Sequence, residues 1–106
     1  MNSIHQNRRA LSATEIVTQL TQLNGESVQG WKLIDGAIEK SFDFPNFHET
    51  MAFVNALAWV AHKEDHHPDL ALSYGRCTVR FNTHDVHGIS ASDMFCAKAV
   101  DTLLKD

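Results

Sequence analysis

Cysteine and proline are scarce in this sequence: the 106 residues contain two of each. Cys77 and Cys96 stand far apart and in no paired motif, which excludes a disulfide framework. Free thiols of this kind fit a reducing compartment, and a cytoplasmic location is the expectation. Basic charge is also in short supply. Nine Lys and Arg against thirteen Asp and Glu give a formal net charge of −4, and the one basic pair, Arg8-Arg9, lies in the tail. A phosphate backbone needs a basic face, so nucleic acid is not expected as a direct partner. Long apolar runs are missing too. Met51 to Ala61 is the longest mostly apolar stretch, and it contains Asn55. That falls well short of the ~20 apolar residues of a bilayer span, so no membrane partner is expected. The first ten residues have no apolar core region, so no secretory signal is expected.

What remains is the composition of a small soluble globule, 43% hydrophobic and 21% charged. A chain of this length forms one core and buries somewhat over ~60% of its unfolded surface. We expect a flexible arm at 1–10 and a single domain over 11–106. Histidine is the one abundance: seven residues, five of them between His62 and His87. Imidazole titrates near neutrality, so such a cluster bears on chemistry.

Ser12 and Glu15 have capping-box spacing, with Leu11 and Ile16 as a hydrophobic staple. Ile16, Leu20 and Leu23 continue a helical stripe that Asn24-Gly25 stops. Asp35-Gly36 then joins Gly30–Ile34 to Ala37–Phe44 as a hairpin. Its second strand puts Ile38, Phe42 and Phe44 on one face, interrupted by Lys40. After Pro45-Asn46, the spacing of Phe47, Met51, Val54, Ala58 and Ala61 predicts a helix whose core face is that stripe. A second line, Asn55, Trp59, His62 and His66, runs beside it, and Pro68 ends the helix between His62 and His67. A second hairpin turns at Tyr74-Gly75. Leu70 and Leu72 alternate with polar residues on one strand, and Cys77, Val79 and Phe81 form the apolar face of the other. Thr78, Arg80 and Asn82 make the opposite face wet, or a surface offered to a partner. Ser90 and Asp93 cap a last helix, with Ile89 and Met94 as its staple and Ala97, Val100 and Leu104 on its apolar face. Trp31 and Phe47 are assigned to the core or its edge, and Tyr74 to turn and packing. The order α-ββ-α-ββ-α predicts a two-layer α+β domain, a four-stranded antiparallel sheet with helices on one face.

The chemistry-bearing residues are His62, Asp65-His66-His67-Pro68, Tyr74, Thr83-His84-Asp85 and Asp93. Scattered surface histidines would account for any one of them, but poorly for two adjacent histidines pinned by a proline. Metal binding would use His62 and His66 at helical spacing with His84 and His87, though no zinc pattern such as HExxH is present. Metal-free acid–base catalysis is the third reading: paired imidazoles can donate one proton and accept another in a single turnover, as a dehydration requires.

Taken together, these residues resemble the signature of the pterin-4a-carbinolamine dehydratases. Three residues separate position 62 from His66, five separate Pro68 from Tyr74, nine Tyr74 from His84, and eight His84 from Asp93. Leu11-Ser12, Gly30-Trp31, Phe42-Asp43-Phe44, Phe47 and the last helix extend the likeness over nearly the whole chain beyond the arm. The resemblance implies removal of water from 4a-hydroxytetrahydropterin to give quinonoid dihydropterin, with pterin as substrate and neither cofactor nor metal. It also implies catalytic roles for His66, His67 and His84. Around them, His62, Asp65, Pro68, Thr83, Asp85 and Asp93 would line the substrate site, Asp93 serving as helix cap as well. His66 and His84 are expected to divide the acid and base roles while His67 holds the pterin. At position 62 the family often carries an acidic residue; a second histidine, once protonated, would lower the pKa of His66 where a carboxylate would raise it. The resemblance further implies a homodimer or homotetramer acting alongside an aromatic amino acid hydroxylase. Animal members also serve as dimerisation cofactors of a homeodomain transcription factor. A catalytically weak or inert member with an assembly or regulatory role is therefore the alternative.

Overall fold

The computed structural model describes residues 9–105, so most of the arm expected at 1–10 lies outside the described residues. The first helix, α1 (Ala13–Asn24), starts at the predicted capping box: Ser12 accepts from the Glu15 N–H, and Glu15 accepts from the Ser12 N–H. Gly25, at φ 56°, ends it, a conformation glycine takes without a Cβ clash. Leu11 is fixed by donating its N–H to the Ile89 carbonyl at 2.7 Å.

Arg9 clamps this helix start by a two-pronged bond to Glu15, 2.9 and 2.7 Å. That hydrogen bond, reinforced by the Ser12 N–H, draws the Glu15 carboxyl from its ordinary 4.5 down to about 2. A carboxyl with a lowered folded pKa stabilises the fold above its unfolded value and loses that contribution as pH falls towards the folded one. Glu15→Gln should therefore be less stable than the parent above pH 4.5, and the two should converge as pH approaches 2. Urea unfolding across that range checks it, and added salt should shrink the difference because the pair is exposed.

Two hairpins build the sheet. In the first, β1 (Lys32–Ile34) and β2 (Ala37–Asp43) are joined by Asp35-Gly36, both at positive φ (49° and 79°), the twist that matches paired strands. In the second, β3 (Asp69–Leu72) pairs with β4 (Arg76–Phe81). The sheet is fully antiparallel in the order β1-β2-β4-β3. Register sets Ile38 opposite Phe81, Lys40 opposite Val79 and Phe42 opposite Cys77, so these six share the covered face. The opposite face is polar and pairs within itself: Ser41 with Thr78 at 2.7 Å, Glu39 with Arg80 at 2.7 Å, Asp43 with Arg76 at 2.6 Å. Leu70 and Leu72 share the apolar face by register but stay exposed, because β3 is an edge strand.

Helices α2 (Phe47–Glu64) and α3 (Ala91–Thr102) join α1 over the covered face, giving the expected two-layer α+β architecture. Trp31 lies within the core, edge-on to Phe42 at 6.1 Å, with its indole N–H donated to Asp101 at 3.1 Å. Lys40 is accommodated by an ion pair to Asp101 at 2.8 Å and by its position over the Phe42 ring. Ala97 and Val100 are fully buried as predicted; Leu104 lies beyond the end of α3 and is exposed.

The core face of α2 differs from the predicted stripe. The buried positions are Thr50, Phe53, Leu57, Ala61 and Glu64; Phe47 and Ala58 are exposed, and Met51 and Val54 only half-buried. Apolar residues occupy several faces of this helix, and the sheet selects the larger Phe53 and Leu57. Phe47, expected at the core, instead stacks on the exposed Tyr74 at 6.5 Å. Burial pushes the Cys77 thiol up, and both cysteines are buried and unbridged.

Candidate active site

Three element ends meet at the motif residues. Helix α2 ends as Asp65 takes a left-handed conformation (φ 52°, ψ 44°) and turns its N–H back to Ala61 and His62. His66 follows and donates its N–H to the Ala61 carbonyl at 3.1 Å, which directs its side chain inward. The ring is buried, stacked on Phe81 with 5.9 Å between centroids and 10° between planes. Phe81 closes β4, and Thr83 lies two residues on, bridged through its backbone to Gly88 around the short 3-10 turn His84–Val86. Asp93 comes from the first turn of α3, where the helix dipole favours a carboxylate.

The polar atoms form one connected network. His66 Nε2 lies 2.6 Å from Asp93 Oδ1. Thr83 Oγ1 donates to Asp93 Oδ2 at 2.7 Å, and the Ser90 N–H donates to the same oxygen at 2.9 Å. Because the Thr83 hydrogen is spent on Asp93, its oxygen accepts the Ser90 hydroxyl at 2.6 Å, and Ser90 Oγ in turn accepts the Ser92 N–H at 3.3 Å. Thr83, Ser90 and Asp93 are almost fully buried, and the carboxylate meets three donors. A carboxylate accepts only, so His66 Nε2 carries the proton of this contact. A hydrogen-bonded network in a dry site holds one ring orientation and one tautomer.

Of the residues singled out by sequence, the structure brings together His66, Thr83 and Asp93. His67, His84 and Asp85 are exposed on the adjoining segments, and Pro68 is half-buried at the head of β3. His62 is exposed on the last turn of α2, 6.1 Å from the ring of Trp59. The helical pairing weighed for a metal at His62 and His66 is not formed, because α2 ends at Glu64. Among the described residues, no group of three or more His, Cys, Asp or Glu side chains is placed to hold a metal ion. Sequence reasoning missed two members of the network. By sequence Ser90 reads only as a cap, although its box with Asp93 implies contact, and Phe81 reads only as part of a strand face.

The family profile for pterin 4 alpha carbinolamine dehydratase matches residues 9–103. The chain belongs to the pterin-4a-carbinolamine dehydratase family. A relative from Paracidovorax citrulli, which carries the provisional name pterin-4-alpha-carbinolamine dehydratase, is 55% identical over 100 residues, 92% of this chain and 83% of its own. One from Bdellovibrio bacteriovorus under the same provisional name is 48% identical, covering 90% of this chain and 78% of its own. Among solved structures, the transcriptional coactivator/pterin dehydratase from Brucella melitensis superposes with a TM-score of 0.83 at 29% identity, over 92% of this chain and all of that one. A pterin dehydratase-like RuBisCO assembly factor of the alpha-carboxysome shares the dehydratase-family fold, with a TM-score of 0.61 at 22% identity over 72% of this chain and 90% of its own. Among the described residues, no helix is long and apolar enough to cross a membrane.

Proposed function

We propose that this protein dehydrates 4a-hydroxytetrahydropterin to quinonoid dihydropterin, with His66 and His84 as the acid–base pair and His67 holding the pterin. The observation that carries this reading is the buried His66–Asp93 contact at 2.6 Å, beside two exposed motif histidines. The substrate carbon already bears a nitrogen whose lone pair expels the hydroxyl. One imidazolium gives its proton to the departing oxygen, which leaves as water. One neutral imidazole takes the proton from N5, so charge and atoms balance. Asp93 accepts from His66 Nε2 and so orients the ring for its part in the proton transfer. His62, Asp65, Pro68, Thr83 and Asp85 surround these groups in the sequence and complete the proposed substrate wall. The exposed edges of β1 and β3 support self-association into a dimer or tetramer.

Quinonoid dihydropterin formation from enzymatically generated 4a-hydroxytetrahydropterin is the test, followed by absorbance. The expected result is a rate well above the buffer blank, reduced about 10²–10⁴-fold in a folded His84→Ala variant. A wild type no faster than the blank would instead favour an assembly or regulatory role. That reading draws support from His62 at a position often acidic in the family and from the likeness to the transcriptional coactivator/pterin dehydratase of Brucella melitensis.

A further inference from the structure

A groove with a volume of about 690 Å³ is lined by none of the motif histidines. It runs between α1 and α3 over the second half of β2. Its floor is the buried pair Phe42 and Met94, and its rim carries the exposed Phe95 and Leu104, each about half accessible (49% and 48%). Three of the nine basic residues of an acidic chain, Lys40, Lys98 and Lys105, line it against a single acid, Asp101. That acid is already engaged: Lys40 Nζ lies 2.8 Å from one oxygen and the Trp31 indole N–H 3.1 Å from the other. Lys98 and Lys105 have no carboxylate partner among the described residues. Lys98 follows Met94 by four positions and Phe95 by three, so its ammonium rises from the same ridge as the apolar floor.

We infer that this groove binds an amphipathic monocarboxylate with a single aliphatic chain. The volume falls in the ~300–1,000 Å³ range of small-ligand sites. An aliphatic chain on Phe42 and Met94 would cover the half-exposed Phe95 and Leu104, and the Lys98 and Lys105 ammonium groups supply the countercharge. Asp101 stands beside the head-group position and disfavours dianions, which selects a carboxylate over a phosphate monoester. The site is independent of the dehydratase reading, since it uses none of the same side chains.

Decanoate, used below its micelle-forming concentration with the full chain, is the probe. Trp31 provides the internal reporter, because its indole N–H bonds to Asp101 at the groove wall, while the other tryptophan, Trp59, lines no part of the groove. Titration followed by ¹H–¹⁵N NMR should move the Trp31 indole resonance saturably and leave that of Trp59 in place. Lys98→Glu, a surface change that leaves the fold intact, should weaken decanoate binding about tenfold by replacing attraction with repulsion. Decyltrimethylammonium should not bind. The inference is overturned if the Trp31 resonance does not saturate, or if the cationic probe moves it equally. It is also overturned if Phe95→Asp converts a dimer to a monomer in the absence of decanoate, since the groove would then be covered by a second copy.

Discussion

Asp93→Asn is expected to leave a folded protein whose dehydratase turnover falls about 10²–10⁴-fold, the usual worth of a correctly protonated acid or base. The amide retains one acceptor oxygen and presents an NH₂ group in place of the other. Turned with its oxygen towards Thr83 and Ser90, it satisfies both of those donors, which met Asp93 Oδ2 at 2.7 and 2.9 Å. The NH₂ group then meets His66 Nε2, formerly 2.6 Å from Oδ1, and that nitrogen must offer a lone pair. The opposite orientation would set NH₂ against two donors at once, so the first is preferred. The ring therefore keeps its place on Phe81 while its proton moves to Nδ1, the tautomer opposite to the one that Asp93 favours. Imidazole ¹⁵N shifts report the tautomer directly, and the assay reports the rate. Full turnover with an inverted tautomer would make Asp93 a cap and nothing more.

Asp93→Ala should act differently. It strips the acceptor from three donors in a dry site, each left unmade at about 1–3 kcal/mol. An expected loss of at least about 3 kcal/mol is a large share of the ~5–15 kcal/mol that holds a domain of this kind. The contrast between the two variants separates the two roles of the carboxylate: loss of rate without loss of stability in the amide, loss of both in the alanine. Equal stability of the two would mean that water replaces the missing oxygens and that the network is wetter than its burial indicates.

Features decided by neighbours in the chain were legible in the sequence. The Ser12–Glu15 box, the Asp35-Gly36 turn and the Ser90–Asp93 box each need only a few residues and a local hydrogen bond, and each is present as read. The end of α2 was bracketed because Pro68 acts on its immediate predecessors. Asp93 was visible as a cap, and the signature spacing drew attention to His66 and Thr83. Nothing in the spacing says that His66 turns inward while His67 stays exposed. That difference comes from the left-handed Asp65 and from a contact spanning 27 positions. Phe81 as the ring's stacking partner belongs to the same class: it requires the end of β4 to lie beside the end of α2, a fact of topology. The family resemblance supplied which residues matter, and the three-dimensional arrangement supplied what each one touches.

The face of α2 is the clearest case of a choice made by tertiary packing, and it sets the second large expectation. Leu57→Ala should cost about 2–5 kcal/mol, the range for emptying a closely packed aliphatic site, while Ala58→Asp should cost less than about 0.5 kcal/mol. Leu57 is 1% exposed among Phe53, the sheet and α3, whereas Ala58, one residue on, faces outward. The predicted stripe reverses this order, because it runs through Val54 and Ala58 and leaves Leu57 outside. At about 4–8 °C per kcal/mol for a domain near this size, Leu57→Ala should lower Tm by at least about 8 °C. Urea unfolding of the two variants, run at two protein concentrations, decides the matter. Equal and large losses at both concentrations would place Ala58 inside the core and reject the observed helix phase. A loss for Ala58→Asp that appears only at the higher concentration would mean that the outward face of α2, with Trp59 67% exposed, is buried in the assembled protein. Helix phase and assembly state would then be answered by the same pair of melts, because a monomer core is indifferent to concentration and an interface is not.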